Sequence, residues 1–318
     1  MWFKNLHLYR VHSAHISSLE WLEQALGEQA LRPLSGSEAS RVGWVPPAGR
    51  GSDRHLHELQ SHCLMSMCRQ ERILPASVVR EEVEERVDVI EAEECRKLRR
   101  QEKQAIKEQV YEELLPRAFV RTQRIDVWWD VSRNLIGVAT SSRKRAEEAL
   151  DLMRETLGSL KVTPLATQTL PMRAMTTWLT DPGSRPADMQ IGDQVELKAK
   201  GDDGVVRGRQ VDLDSDDMQH LLESGRQASK LALGLEGRMT FVLHDDLAIK
   251  AIRFDDTLID EANEADDGDD AVARLETDFL LMAQALGESV DRVVEWMGGE
   301  AQQYGSGHKD DLLRQGSA

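Results

Sequence analysis

Hydrophobic and polar positions alternate through WFKNLHLYRV at the start of the chain, and this period of two predicts a strand with one buried face. Leu19, Leu22 and Leu26 then recur at helical spacing in SSLEWLEQALGEQAL, with Ser17 or Ser18 in position to cap the helix. SRVGWVPPAGRGS, rich in Gly and Pro, predicts a loop. SHCLMSMCRQERILP predicts a second strand with Cys63, Met65 and Met67 on one face. From Ala76 to Leu115 the residues are helix formers, with neither Gly nor Pro before Pro116. Val79, Val83, Val87 and Ile90 make one thin apolar stripe there, and Ile106, Val110 and Leu114 make another. They fit either one unbroken helix about 60 Å long or a hairpin turning near Arg99 to Glu102. So polar an element is expected to project from the body as a finger or a coiled-coil arm.

Strand, strand, helix follows again: RTQRIDVWWDV, LIGVATSS, then RKRAEEALDLMRETLGSL closed by Gly158. Residues 161 to 190 are loop-rich, with TTWLT as a short helix or strand. QVELKAKGDDGVVRGRQVDL reads as a hairpin around GDDG, DSDDMQHLLESG as a helix, and ASKLALGLEGRMTFVLHDDLAIKAIRF as a run of strands. A helix over 271–297 finishes the pattern. The expected class is α+β: antiparallel sheets backed by helices, with a projecting helical finger. The expected segments are an α/β unit over 1–75, the finger over 76–116, a second α/β unit over 117–165, and an α+β unit over 166–303. The low-complexity tail 304–318 is expected to be disordered.

Composition narrows the class. Among 318 residues, 40% hydrophobic and 30% charged, no apolar run approaches membrane-helix length, and the N-terminus lacks a secretory pattern. Three cysteines (Cys63, Cys68 and Cys95) fit a reducing compartment, so a cytoplasmic protein is expected. The formal charge is −16, but unevenly spread. Residues 96–145 hold thirteen Lys/Arg against six acids, a local +7, leaving −23 elsewhere. Asp255 to Asp270 carries nine carboxylates and no base, and residues 260–270 read as a solvated acidic loop. Such segregation suits a polyanion-binding surface with repulsion elsewhere.

No phosphate-binding loop, dinucleotide fingerprint, nucleophile elbow or HExxH occurs, so no enzyme and no cofactor is expected. Asp126 with Asp130, and Asp245 with Asp246, resemble the carboxylate pairs of metal-dependent nucleases. However, the first pair encloses two tryptophans and the second falls at an expected turn. His55, His57, His62, Cys63 and Cys68 match no standard zinc spacing, and read instead as buried thiols and surface histidines.

The basic stripe RKLRRQEKQAIK is more informative. On one helix, Arg96, Arg100, Lys103 and Lys107 would fall within about 60° of arc, with Lys97 adding charge beside them. Cations aligned in this way can neutralise successive phosphates, or simply form a solvated helix face. Beyond the break forced by Pro116, Phe119 sits among Arg117, Arg121 and Arg124, suited either to a core or to stacking on a base. Farther on, Arg207 and Arg209 share one strand face.

Seven segments in order then resemble one family: WFKNLHLYR, GWVPP (43–47), ILP (73–75), KLRRQEK (97–103), LLPRAF (114–119), LGSLKVTPL (157–165) and GGEAQ (298–302). Together they are similar to the RdgC family of proteobacterial recombination-associated proteins. That resemblance implies a ring-shaped homodimer with a basic lining, through which double-stranded DNA passes. It implies no enzymatic activity, little sequence preference, weaker binding to single-stranded DNA, and restraint of the RecA recombinase in the nucleoid. The family's DNA-binding aromatic falls on Phe119. Its second basic patch reads RQVDL here, so Arg209 keeps the charge while Gln210 and Val211 replace a lysine and a glutamine. The competing reading is a helical scaffold that binds a protein partner and has no DNA role.

Overall fold

In a computed structural model, which describes residues 2–199, 201, 204–264 and 270–301, the opening alternation forms strand β1 (Asn5–Ala14). Helix α1 (Leu19–Glu28) follows, and Ser18 Oγ accepts the Trp21 N–H at 3.1 Å as its cap. SRVGWV is not a loop: it forms strand β2 (Ser40–Val45), antiparallel to β4. The reason lies outside the segment. Trp44 is fully buried and donates to Thr156 Oγ1 at 2.7 Å, while a Cβ on Gly43 would lie 2.5 Å from Leu31 Cα. The short strand β3 (His57–Leu59) pairs with β4 (His62–Ile73). His62 to Cys68 are buried on both faces of β4, so His57 and His62 are core residues, not surface ones. Cys63 and Cys68 are buried thiols.

The polar stretch is a helical hairpin, α2 (Ala76–Glu94) and α3 (Arg100–Leu114). Val79, Val87 and Val110 are the buried apolar positions of the two helices, with Val83, Ile90, Ile106 and Leu114 partly covered, as the two stripes require. The remaining elements in chain order are β5 (Phe119–Asp130), β6 (Leu135–Val138), α4 (Arg143–Leu157), β7 (Leu160–Pro164), α5 (Pro171–Thr180), β8 (Met189–Lys198) and β9 (Val205–Arg209). They are followed by α6 (Asp216–Glu223), β10 (Gln227–Leu235), β11 (Met239–His244), β12 (Ile249–Phe254), α7 (Asp256–Glu264) and α8 (Ala271–Trp296). TTWLT belongs to helix α5, and Asp245-Asp246 lies between β11 and β12 as expected. Besides β2, three elements were not anticipated: β3, β7, read as loop, and α7, which occupies the start of the acidic run. Residues 265–269, Asp202 and Asp203 of the GDDG turn, and the 304–318 tail lie outside the described residues.

The fold is α+β with antiparallel sheet throughout its registered pairings. Contacts divide the chain into two compact units that are discontinuous in sequence, unlike the contiguous segments read from composition. One comprises 1–12, 130–141 and 162–318. In it β1 pairs with β6 through His7–Arg10 and with β12 through Asn5 and Leu6, and the order continues β12-β11-β10-β8-β9. Leu6, Ile136, Leu231, Leu243, Ile249, Phe279 and Met282 form its solvent-free core. The other comprises 13–129 and 142–161. It has strand order β2-β4-β5, helices α1 to α4, and a core including Leu64, Met65, Met67, Val127, Trp128 and Ala149. Among the described residues no helix is long and apolar enough to cross a membrane.

Candidate nucleic-acid interface

The hairpin turn is set by charge and by one strained residue. Helix α2 ends where Cys95 enters the left-handed region at φ 51°, and the chain re-enters helix at Arg100. Glu91, buried near the end of α2, accepts from Leu98 N–H at 2.9 Å, from Lys103 Nζ at 3.0 Å, and from Lys97 Nζ. Those bonds, led by that from Lys97, hold its carboxyl down at about 2. Glu102 accepts from Arg96 Nη2 at 2.6 Å and from the Arg99 N–H at 2.7 Å, and its carboxyl is likewise lowered to about 2, chiefly by Arg96. Arg86 joins the helices, donating to Glu82 at 2.8 Å and Glu113 at 2.7 Å.

This geometry corrects the continuous stripe. Arg96 lies in the turn, not on the face of α3, because the helix breaks at Cys95. Lys97 and Lys103 turn back to Glu91, and Arg96 is held by both Glu94 and Glu102. Arg100 and Lys107 remain on one face of α3, both exposed, with no ion pair among the described residues. Two turns separate them, about 10 Å of helix rise.

At the base of the hairpin, Leu115–Arg117 form a single 3-10 turn with Pro116 inside it, and the chain leaves as β5. Arg72 on β4 clamps this corner. Its guanidinium donates to the carbonyl oxygens of Pro116 at 2.9 Å, Glu38 at 3.2 Å, Ser35 at 3.3 Å and Ala118 at 3.4 Å. Phe119, the first residue of β5, is 87% exposed, with Val120 and Ile73 also exposed. Of the flanking arginines, Arg121 is paired with Glu71, and Arg124 donates to Asp126 at 2.9 Å and to the Pro47 carbonyl at 2.6 Å. Arg117 is exposed and makes no ion pair among the described residues. The carboxyl of Glu71 is lowered by Arg121 first and Arg69 next, and Arg145 approaches it at 3.5 Å.

The second predicted patch lies in the other unit. Arg207 and Arg209 are exposed on β9, opposite Glu196 and Gln194 of β8. Arg207 Nε donates to Glu196 at 2.8 Å, whereas Arg209 has no ion pair among the described residues. Gln210 takes φ 54°, ending the strand, and its side chain is exposed.

The carboxylates considered for catalysis are engaged elsewhere. Asp126 is bonded by Ser66 and Arg124, Asp130 is buried with bonds from Ser132 and Arg133, and Asp245 pairs with Lys198 at 3.0 Å. Among the described residues no three His, Cys, Asp or Glu side chains gather in a metal-binding group. Sequence reading missed Arg72 and Glu91. Neither carries a local signal: one is a lone arginine at a strand end, the other one acid among several.

The family model described as "RdgC: Putative exonuclease, RdgC" matches residues 1–300. The "Recombination-associated protein RdgC" of Proteus mirabilis (strain HI4320) is 37% identical over 303 residues, 95% of this chain and 100% of that protein. Its counterpart in Sodalis glossinidius (strain morsitans) is 36% identical over 306 residues, 96% of this chain and 100% of that protein. One from Salmonella paratyphi B (strain ATCC BAA-1250 / SPB7) is 37% identical over 303 residues, 95% of this chain and 99% of its own length.

Proposed function

The chain belongs to the RdgC family of recombination-associated proteins, and from that premise we propose that it binds double-stranded DNA without reading sequence, as a ring-shaped homodimer. It acts in the cytoplasm on nucleoid DNA, binds single-stranded DNA more weakly, and restrains RecA by occupying the DNA that RecA needs. It works without chemistry of its own and without a cofactor. Residues of both basic patches carry the contacts: Arg96, Lys97, Arg100, Lys103, Lys107, Arg117, Phe119 and Arg121 in one, Arg207, Arg209 and Gln210 in the other.

The observation that carries this reading is Phe119, an aromatic side chain 87% exposed at a corner between Arg117 and Arg121. A ring left in water beside cations suits stacking on a base or entry into a groove. The ion pairs around it are compatible with binding. Exposed pairs are worth about 0–1 kcal/mol, so a phosphate can displace a carboxylate, and a guanidinium can serve both.

Duplex titrations across a salt series test the proposal. Log affinity is expected to fall linearly with log salt, equally for unrelated sequences, with a slope of about −0.9 per phosphate neutralised. Arg100→Gln with Lys107→Gln should flatten that slope by roughly two contacts. Arg96→Gln with Lys97→Gln should flatten it less, because carboxylates already neutralise those two cations. A salt-insensitive complex or strong preference for one sequence refutes the proposal. Incubation of labelled duplex with magnesium tests the absence of nuclease activity; cleavage that survives repurification refutes that part.

The scaffold reading draws on one observation, the exposed Val89 and Tyr111 on the hairpin. It predicts negligible DNA affinity throughout and loss of a protein partner when the hairpin charges are changed.

A further inference from the structure

Sheet register in the unit containing β8 to β12 assembles a row of charged side chains that sequence reading did not connect. Arg207 lies opposite Glu196, Glu196 opposite Lys230, and Lys230 opposite His244, so one line crosses β9, β8, β10 and β11. Lys250 on β12 sits beside it, opposite Val242. These side chains, with Arg209, line a cavity of about 250 Å³.

Glu196 organises the cavity. Its side chain is 7% exposed, and its Oε2 accepts from Arg207 Nε at 2.8 Å and Lys230 Nζ at 2.8 Å, while Oε1 accepts from Ser229 Oγ at 2.9 Å. Burial alone would push its carboxyl up, but the Lys230, Arg207 and Ser229 bonds outweigh burial and hold it at about 2. One permanently ionised carboxylate therefore fixes two cations whose other donors stay available. Lys250 Nζ is steadied by a bond to the Ser141 carbonyl at 2.9 Å. Arg207, Arg209, Lys230 and Lys250 face this single lining acid. The nearby acids are already occupied: Asp245 pairs with Lys198, and Asp246 accepts the Ala248 N–H at 3.1 Å. His244 reports the same positive field. Burial first, then Lys250 and Lys230, lower its pKa to about 4, so the ring is neutral at physiological pH.

We propose that this cavity is an oxyanion socket that receives a phosphoryl group, with Arg207, Lys230 and Lys250 as donors and Glu196 as the residue that positions them. The guanidinium fork matches phosphoryl oxygens bidentately, and two ammonium groups supply compact charge. The phosphoryl group belongs either to a nucleic-acid backbone or to a free polyphosphate. The socket shares Arg207 and Arg209 with the proposed DNA contacts, but it stands or falls separately from them.

Lys250→Gln is the informative variant, because Lys250 does not touch Glu196 and its loss strands no buried carboxylate. Lys161→Gln, an exposed lysine of β7 outside the cavity lining and without an ion pair among the described residues, is the control, and thermal melting confirms that both are folded. Two arms are run: calorimetric titration with inorganic pyrophosphate, and duplex binding across a salt series. Pyrophosphate affinity is expected to fall about tenfold in Lys250→Gln, the loss of one charge-assisted hydrogen bond, and to be unchanged in the control. If the phosphoryl group comes from DNA, the duplex salt slope also falls by about 0.9 in Lys250→Gln alone. A Lys250-dependent pyrophosphate complex with an unchanged duplex slope assigns the socket to a free polyphosphate. Pyrophosphate binding in a protein that does not bind duplex upholds the socket and refutes the DNA-binding reading. Insensitivity of both arms to Lys250→Gln overturns the socket, whatever the duplex affinity.

Discussion

Replacing Phe119 with alanine separates a binding role from a structural one, because the side chain contributes so little to the fold. A phenylalanine can bury on the order of 200 Å². At 87% exposure, roughly a tenth of that area is covered within this chain. At about 25 cal/mol per Å², the covered part contributes about 0.6 kcal/mol. Phe119→Ala should therefore lower the melting temperature by only about 2 °C. Stacking of an aromatic on a base is worth about 1–3 kcal/mol, so duplex affinity should fall roughly 5- to 150-fold. Fluorescence anisotropy with a labelled duplex, paired with thermal melting of the same samples, reads both quantities. Phe119→Trp should restore binding and Phe119→Leu should not, since only a π face stacks. Sedimentation at the same concentrations checks that assembly is unchanged. Affinity within about twofold of the parent, or a melting temperature lowered by many degrees, refutes the reasoning.

Three further outcomes follow from the packing. Cys95→Gly should raise stability by about 0.5–1 kcal/mol, because Cys95 holds φ 51° just past the end of α2; chemical denaturation measures it. Gly43→Ala should cost at least about 1–3 kcal/mol, because its Cβ meets the backbone of Leu31 at 2.5 Å and β2 has to shift. His244 has its pKa lowered from 6.5 to about 4 by burial, Lys250 and Lys230, so the unfolded chain binds the extra proton between those values. Stability should accordingly be full above pH 6.5 and fall as pH drops towards 4, and His244→Asn should flatten that part of the denaturation profile.

Local pattern was enough for most elements. The helical stripes of α2 and α3, the Ser18 cap of α1 and the Gly158 end of α4 are set by residues within a turn or two of one another, and all were legible in the sequence. What escaped depended on distant chain. Strand β2 was hidden by the prolines and glycines after it, and its fit rests on Leu31 and Thr156. The segments of each unit are discontinuous along the chain because β1 pairs with β6 and β12, partners more than a hundred residues away. Burial of His62 likewise follows from both faces of β4 being covered, and that of His57 accompanies the pairing of β3 with β4, neither of which alternation on one face suggested.

Charge followed the same rule, with more consequence for function. The basic segment was counted as +7 along the chain, yet acids from outside it come to meet its cations in space. Glu71 meets Arg121 and Arg145, Glu91 meets Lys97 and Lys103, Glu94 meets Arg96, and Asp291 meets Arg133. A count by sequence window therefore overstates the cations that can act on a polyanion. It also obscures which ones they are, because pairing is decided by turns such as that at Cys95. Arg100, Lys107 and Arg117 make no ion pair among the described residues, and they lie on the hairpin and at its base, the latter beside the exposed Phe119. Exposed pairs such as Arg96 with Glu94 are weak enough to exchange a carboxylate for a phosphate, whereas Lys97 and Lys103 share a buried Glu91 that their departure would strand. On the proposed DNA-binding reading, the unpaired cations are therefore expected to weigh more than the paired ones, and single substitutions to glutamine across a duplex salt series would rank them by pairing and not by position in the sequence.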